Sequence, residues 1–161
     1  MGLEFTGEGA KKIKWLEELA DMRIEFGVVD EQKSTNGVLV WQYAIYLEWG
    51  RVDQTQQVAR PFFSTFFIQQ RDIIKEKLKR EYSKVFNGYQ KPMTAYRNVG
   101  DYLKAQIESS LLNGNWTPLK ESTVKAKKGD TTVGVDTGNL LSCIGYVVYK
   151  GNSIIYKRIG R

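Results

Sequence analysis

Residues 60–114 read RPFFSTFFIQQRDIIKEKLKREYSKVFNG, then YQK, then PMTAYRNVGDYLKAQIESSLLNG. Two long helices account for this stretch. Arg60-Pro61 opens the first, with Pro61 at the first helical position, where a missing N–H removes no intrahelical bond. Phe63, Phe67, Ile74, Leu78, Tyr82 and Val85 recur at steps of three, four and seven and form one face, widened at its start by Phe62, Phe66 and Ile73. The far end carries Arg71, Lys75, Lys77, Lys79, Arg80 and Lys84, offset in part by Glu76 at helical spacings. Asn87-Gly88 stops the helix near Phe86. The second helix follows Pro92-Met93 with Thr94 as its cap, and Val99, Leu103, Ile107, Ser110 and Leu111 share one stripe before Asn113-Gly114 ends it. Lys91-Pro92 fixes the turn, so the pair reads as an antiparallel helical hairpin.

On the N-terminal side, residues 10–20 form a short amphipathic helix with Ile13, Leu16, Leu19 and Ala20 on its stripe. Met22 to Val29 then alternates, with Met22, Ile24, Phe26 and Val28 on one face and Arg23, Glu25 and Gly27 on the other, the pattern of a half-buried strand. Asn36-Gly37 marks a turn. Val38 to Trp49 has strand-like propensity but also a helical stripe of Val40, Tyr43, Ala44 and Leu47 with Gly50 as a stop, and the helix is preferred. Residues 51–59, rich in Gln and without periodicity, read as an exposed, mobile loop.

On the C-terminal side, Asn115-Trp116-Thr117-Pro118-Leu119 is a turn running into a short helix over 119–128. Residues 129–134 are small and polar and are expected to be mobile. Asp136 or Thr137 caps another short helix carrying Leu140, Leu141 and Ile144. Tyr146–Tyr149 and Ile154–Tyr156, joined through Lys150-Gly151-Asn152-Ser153, form a closing hairpin. The sum is one α+β domain over 1–161: an antiparallel β-sheet packed against two long helices, with short helices and a C-terminal hairpin.

Composition limits function. The chain has 161 residues and no histidine, which removes Ser-His-Asp and Cys-His catalysis, histidine metal ligation and a histidine pH switch. Cys143 is the single cysteine, so neither an internal disulfide nor a thiolate zinc cluster can form. It suits a reducing cytosol and is expected to be a small buried hydrophobe. No apolar run approaches the length of a membrane span, and Met1 to Phe5 lacks the basic start and apolar run of a secretory signal. There is no phosphate loop and no dinucleotide fingerprint. Asp130 and Asp136 lack a companion carboxylate cluster, and Glu48, between Leu47 and Trp49, is a lone carboxylate. No catalytic residue, cofactor or metal is therefore expected.

What remains is charge and aromatic content. Residues 1–60 hold 7 basic and 10 acidic side chains, a net of −3, whereas the remaining 17 and 8 give +9. Such asymmetry suits an acidic partner, nucleic acid or the acidic face of a neighbouring copy, and equally a solvated basic helix face. Trp41, Tyr43, Tyr46 and Trp49 cluster ahead of Phe62, Phe63, Phe66 and Phe67, more aromatic surface than one small core absorbs together with Trp15 and Trp116. Some of it is expected at a subunit interface. A basic helix with aromatics also suits loose contact with a DNA backbone rather than sequence reading.

Two blocks carry a resemblance. Tyr43-Ala44-Ile45-Tyr46-Leu47-Glu48-Trp49-Gly50, a polar loop, and Val58-Ala59-Arg60-Pro61-Phe62-Phe63 resemble the neck and tail-completion proteins of tailed bacteriophages, with their A-x-x-x-E-[FW]-G stretch and R-P-F corner. Gly114-Asn115-Trp116-Thr117-Pro118-Leu119, Ser122-Thr123, Lys125–Lys128 and Asp136-Thr137-Gly138-Asn139-Leu140-Leu141-Ser142-Cys143-Ile144 are similar to the virion-morphogenesis pattern W-x-P-L-x-x-x-T…K…D-T-G-x-L-x-x-S-I, with Cys143 where Ser is usual. The order of the blocks is the reverse of the usual one. The resemblance implies a virion protein at the head–tail junction, assembled in the bacterial cytoplasm, with no active site and no membrane. Its partners would be copies of itself in a six-fold or twelve-fold ring, the connector or head-completion proteins and the tail tube, with DNA passing through the lumen. Tyr46, Trp49, Arg51, Arg60, Pro61, Phe62 and Trp116 are then the expected subunit interface, Arg60 projecting its charge from the corner. Lys75, Lys79, Arg80, Lys125, Lys127 and Lys128 are the expected lumen-facing residues, and the loops 51–59 and 129–134 are expected to order on assembly.

Overall fold

The computed structural model describes residues 7–30, 33, 37–51, 58–126 and 138–160. Its elements run α1 (Glu8–Asp21), β1 (Met22–Val28), α2 (Val40–Trp49), α3 (Phe62–Phe86), α4 (Pro92–Asn113), α5 (Glu121–Ala126), α6 (Asn139–Cys143), β2 (Ile144–Lys150) and β3 (Ser153–Ile159). The fold is the α+β arrangement expected from the sequence, with a three-stranded antiparallel sheet in the order β1-β2-β3.

The alternation in β1 sets the sheet's inner face. Ile24 lies opposite Val148, Phe26 opposite Tyr146 and Val28 opposite Ile144. Because direct partners share a face, these residues form one apolar surface, which Tyr156 extends from β3 opposite Val148. Residues Ile144 to Val148 of the central strand are all buried. β2 and β3 close a hairpin through Gly151-Asn152, where Gly151 takes φ 54°, and a bulge leaves Ile155 without a cross-strand partner.

The helical hairpin covers the inner face. At one end, Ser110 Oγ donates to the Phe62 carbonyl at 3.3 Å; at the other, Asn98 reaches Glu81, so α3 and α4 run antiparallel. Val99, Leu103, Ile107 and Leu111 are all buried with Leu47, Phe62, Phe66, Leu140 and Ile144 in the larger core cluster. A second cluster of Met22, Tyr96, Tyr146 and Val148 sits near the helical turn. Burying each such side chain contributes about 1.5–3 kcal/mol. Cys143 is fully buried in the larger cluster, and burial pushes its thiol pKa up.

Several termini differ from the sequence reading. Pro61 is the N-cap of α3, with ψ 69°, and the helix begins at Phe62. Pro92, not Thr94, starts α4, and Lys91 is its cap; proline's fixed φ makes it the better first residue. Ile144 is the first residue of β2 because its pairing with Val28 outweighs the helical step from Leu140. α6 starts after Gly138 in the left-handed region at φ 75°. The Asp136 and Thr137 caps, the 129–134 segment and most of the 51–59 loop lie outside the described residues.

Candidate functional site

The corner between α2 and α3 begins with two charges turned inward. Glu48, on the last turn of α2, accepts hydrogen bonds from the backbone N–H groups of Phe63 and Ser64, each at 3.0 Å, and from Ser64 Oγ. The first N–H groups of a helix have no intrahelical acceptor and carry its positive dipole end. Glu48 therefore caps α3 from another helix, and its carboxylate lone pairs are committed to that task.

Arg60 is the second. It is only 6% exposed, and its backbone N–H donates to Leu47 O at 2.7 Å. Its guanidinium donates to Thr117 O through Nε at 3.1 Å and Nη2 at 3.0 Å, to Pro118 O at 3.3 Å and to Val58 O at 3.2 Å. Trp116 Nε1 in turn donates to Leu111 O at 3.0 Å. The Trp-Thr-Pro-Leu block is thus fastened to the Arg-Pro-Phe corner, although more than fifty residues separate them in sequence.

This placement corrects part of the expected interface. Arg60 does not project its charge, and Phe62 is fully buried, so neither offers surface to another copy. The reason is local: four guanidinium hydrogen bonds fold the side chain back onto the carbonyls of Val58, Thr117 and Pro118, and Phe62 sits where the first turn of α3 meets α4. Pro61 and Trp116 are half-buried. Tyr46 is half-buried under the Arg51 guanidinium, 4.6 Å from its ring centroid. Trp49 is exposed.

An apolar groove opens beside the corner, with a volume of about 460 Å³. Trp41, Ala44, Ile45 and Trp49 of α2 line one wall, Val28 of β1 adjoins, and Phe63 and Phe67 of α3 line the other, with Glu48 and Ser64 as the polar lining. Trp41, Ile45 and Trp49 are spaced by four residues, forming a second stripe beside the buried Val40, Ala44 and Leu47. The aromatic cluster was visible in the sequence; this outward stripe was not separated from it, although its spacing was the available signal.

The expected lumen residues lie apart from this corner. Lys75, Lys79 and Arg80 are exposed on α3, interlaced with acidic side chains: Lys79 reaches Glu76 at 2.8 Å, Lys75 reaches Asp72 at 3.9 Å and Arg80 reaches Glu81 at 3.9 Å. Lys125 pairs with Glu121 at 2.9 Å on α5. Lys127 and Lys128 lie outside the described residues.

A buried polar cluster that sequence reasoning missed closes the other end of the hairpin. Glu81 is 1% exposed and accepts from Asn98 at 2.8 Å, Gln90 at 3.0 Å and Lys84 at 2.9 Å. Burial alone pushes its carboxyl up, but the hydrogen bonds from Asn98, Lys84 and Gln90, with the Lys84 charge, outweigh that and hold it at about 2. On the sheet side, buried Tyr146 donates to Asp101 at 2.7 Å, and Arg158 approaches the same carboxylate at 3.2 Å. Among the described residues, no group of three His, Cys, Asp or Glu side chains is placed to hold a metal, and no helix is long and apolar enough to cross a membrane.

Comparisons with protein-family models, with curated proteins and with solved structures find no match to this chain.

Proposed function

We propose that this chain is a structural subunit at the head–tail junction of a tailed phage, a neck, tail-completion or tail-terminator protomer that assembles into a ring. The observation carrying the proposal is the junction between Arg60 and the Thr117 and Pro118 carbonyls. The Arg-Pro-Phe corner of one block and the Trp-Thr-Pro stretch of the other, both of which resemble phage junction proteins, are joined by hydrogen bonds, and Arg60 is occupied by backbone carbonyls. Glu48 as a helix cap points the same way. In this reading the ring presents one face to the connector and the other to the tail tube, and DNA passes through the lumen without sequence reading. Exposed Lys75, Lys79 and Arg80 are the candidates to line it.

A non-sequence-specific DNA-binding protein is the alternative, supported by the same exposed lysines and arginine. Their acidic neighbours reduce the net field that a phosphate backbone would meet. Light scattering coupled to gel filtration, followed by negative-stain imaging, tests the two readings. The expected result is a closed ring whose subunit count separates a six-fold tail-end position from a twelve-fold connector position. A monomer at every concentration that retains DNA at physiological salt would replace this proposal with the alternative.

A further inference from the structure

We infer that the α2–α3 groove is the socket of a head-to-tail contact, and that the α3–α4 turn of a second copy fills it with Phe86 and Tyr89. The inference rests on the ring reading for closure and adds which surfaces meet.

The groove and its margin expose a large apolar surface. Of its lining, Trp41, Ile45, Trp49 and Phe67 are 39, 47, 76 and 41% exposed, and Ile68, the residue after Phe67 but outside the groove, is 77% exposed. At roughly 200 Å² per large side chain, they leave about 550 Å² of apolar surface, near the upper end of what a monomer carries. With a polar rim, that patch approaches the ~800 Å² that each partner buries in a standard interface. A second copy of this chain is an occupant whose surface is known.

Shape decides which part of that copy fits. Two identical concavities laid face to face leave a void, so the groove needs a convex apolar partner. The α3–α4 turn supplies one: Phe86 is 64% exposed and Tyr89 83%. Tyr89 is held out by a tight turn, with Tyr89 N–H donating to Lys84 O at 2.8 Å and Gly88 N–H to Val85 O at 2.9 Å. Gly88 takes φ 81°, a conformation that favours glycine. The knob and the socket occupy opposite ends of α3, a helix of 25 residues and so about 37 Å long. No chain can fill its own groove. A contact between different surfaces is heterologous and closes into a ring when its rotation divides the circle.

The chain's only cysteine, Cys143, is buried, so introduced cysteines report alone. Ile45→Cys and Tyr89→Cys chains, differently tagged and co-expressed, are treated with a short thiol-to-thiol linker. The expected product is the mixed 45–89 dimer, with little from either variant alone. Tyr89→Asp, at an exposed turn position, is expected to convert rings to monomers with an unchanged far-ultraviolet circular dichroism spectrum. Rings that persist in Tyr89→Asp without a 45–89 product would overturn this contact while leaving the ring reading intact. Linking of Ile45→Cys to itself would replace the contact with a two-fold one. A wild-type chain that is monomeric, with no linked product from the Ile45→Cys and Tyr89→Cys pair, would overturn both.

Discussion

Arg60 carries a permanent charge into the protein and spends it on backbone carbonyls, those of Val58, Thr117 and Pro118. Hydrogen bonds from a charged donor are worth about 1.5–3 kcal/mol, and the space left by the buried side chain adds to the loss. Arg60→Ala is therefore expected to destabilise the fold by about 2–4 kcal/mol, read from urea unfolding midpoints. Arg60→Lys should recover less than half, because one ammonium cannot span the fork that reaches two segments; full recovery would mean that the charge, not the geometry, matters. Glu81 predicts a pH dependence of definite sign. Its folded pKa of about 2 lies below the ordinary 4.5. The stabilisation is complete above the unfolded value and is lost as pH falls from about 4.5 through 2. A shift of that size corresponds to roughly 3 kcal/mol. Glu81→Gln should be less stable than the wild type at pH 6, and the two should converge near pH 2. Parallel curves across that range would show that the carboxylate contributes nothing through its ionisation.

α4 lies close against the sheet at Gly100, where an added Cβ would lie 2.5 Å from the Tyr146 ring. Helix propensity alone favours Gly→Ala by about 0.5–1 kcal/mol. Here the ring cannot yield, since it is fully buried, packed against the tilted Tyr156 ring at 5.8 Å and tied to Asp101. Overpacking costs about 1–3 kcal/mol, so Gly100→Ala should lower the melting temperature. A rise would mean that α4 and β2 separate at little cost. The sequence made this packing legible as far as periodicity reaches. The stripe from Val99 to Leu111 and the alternation from Met22 to Val28 are local patterns, and the first became a buried face and the second a half-buried one. Glu48, Arg60 and Glu81 were not legible. In the sequence Glu48 stands between two apolar neighbours but is paired with nothing, Arg60 is expected to project, and the partners that decide all three, Ser64, Thr117 and Asn98, come from other elements with no spacing to announce them. Of the expected interface, Arg60 and Phe62 turned inward, and Trp49 is exposed. The groove needed two elements brought together before its outward stripe meant anything.

Across the whole molecule, the apolar surface is unevenly shared between the two ends of α3, a groove at one and a pair of exposed aromatics at the other. A protomer built this way is a better-folded object when a neighbour is present, because binding to the native state alone adds RT ln(1 + [L]/Kd) to its stability. A hundredfold excess over Kd contributes about 2.7 kcal/mol. In a chain of this size, each kcal/mol moves the melting temperature by about 2–4 °C. For a Kd of about 1 μM, raising the concentration from about 1 μM to about 100 μM should raise the wild-type melting temperature by roughly 5–10 °C, followed by differential scanning fluorimetry on intrinsic tryptophan. Tyr89→Asp should melt at one temperature throughout, close to that of the dilute wild type, since the substitution removes a neighbour and not a core contact. If both proteins rise together, the stabilising contact lies elsewhere on the surface. If neither rises, folding and assembly are uncoupled, and the exposed aromatics at both ends of α3 must be tolerated by an isolated protomer.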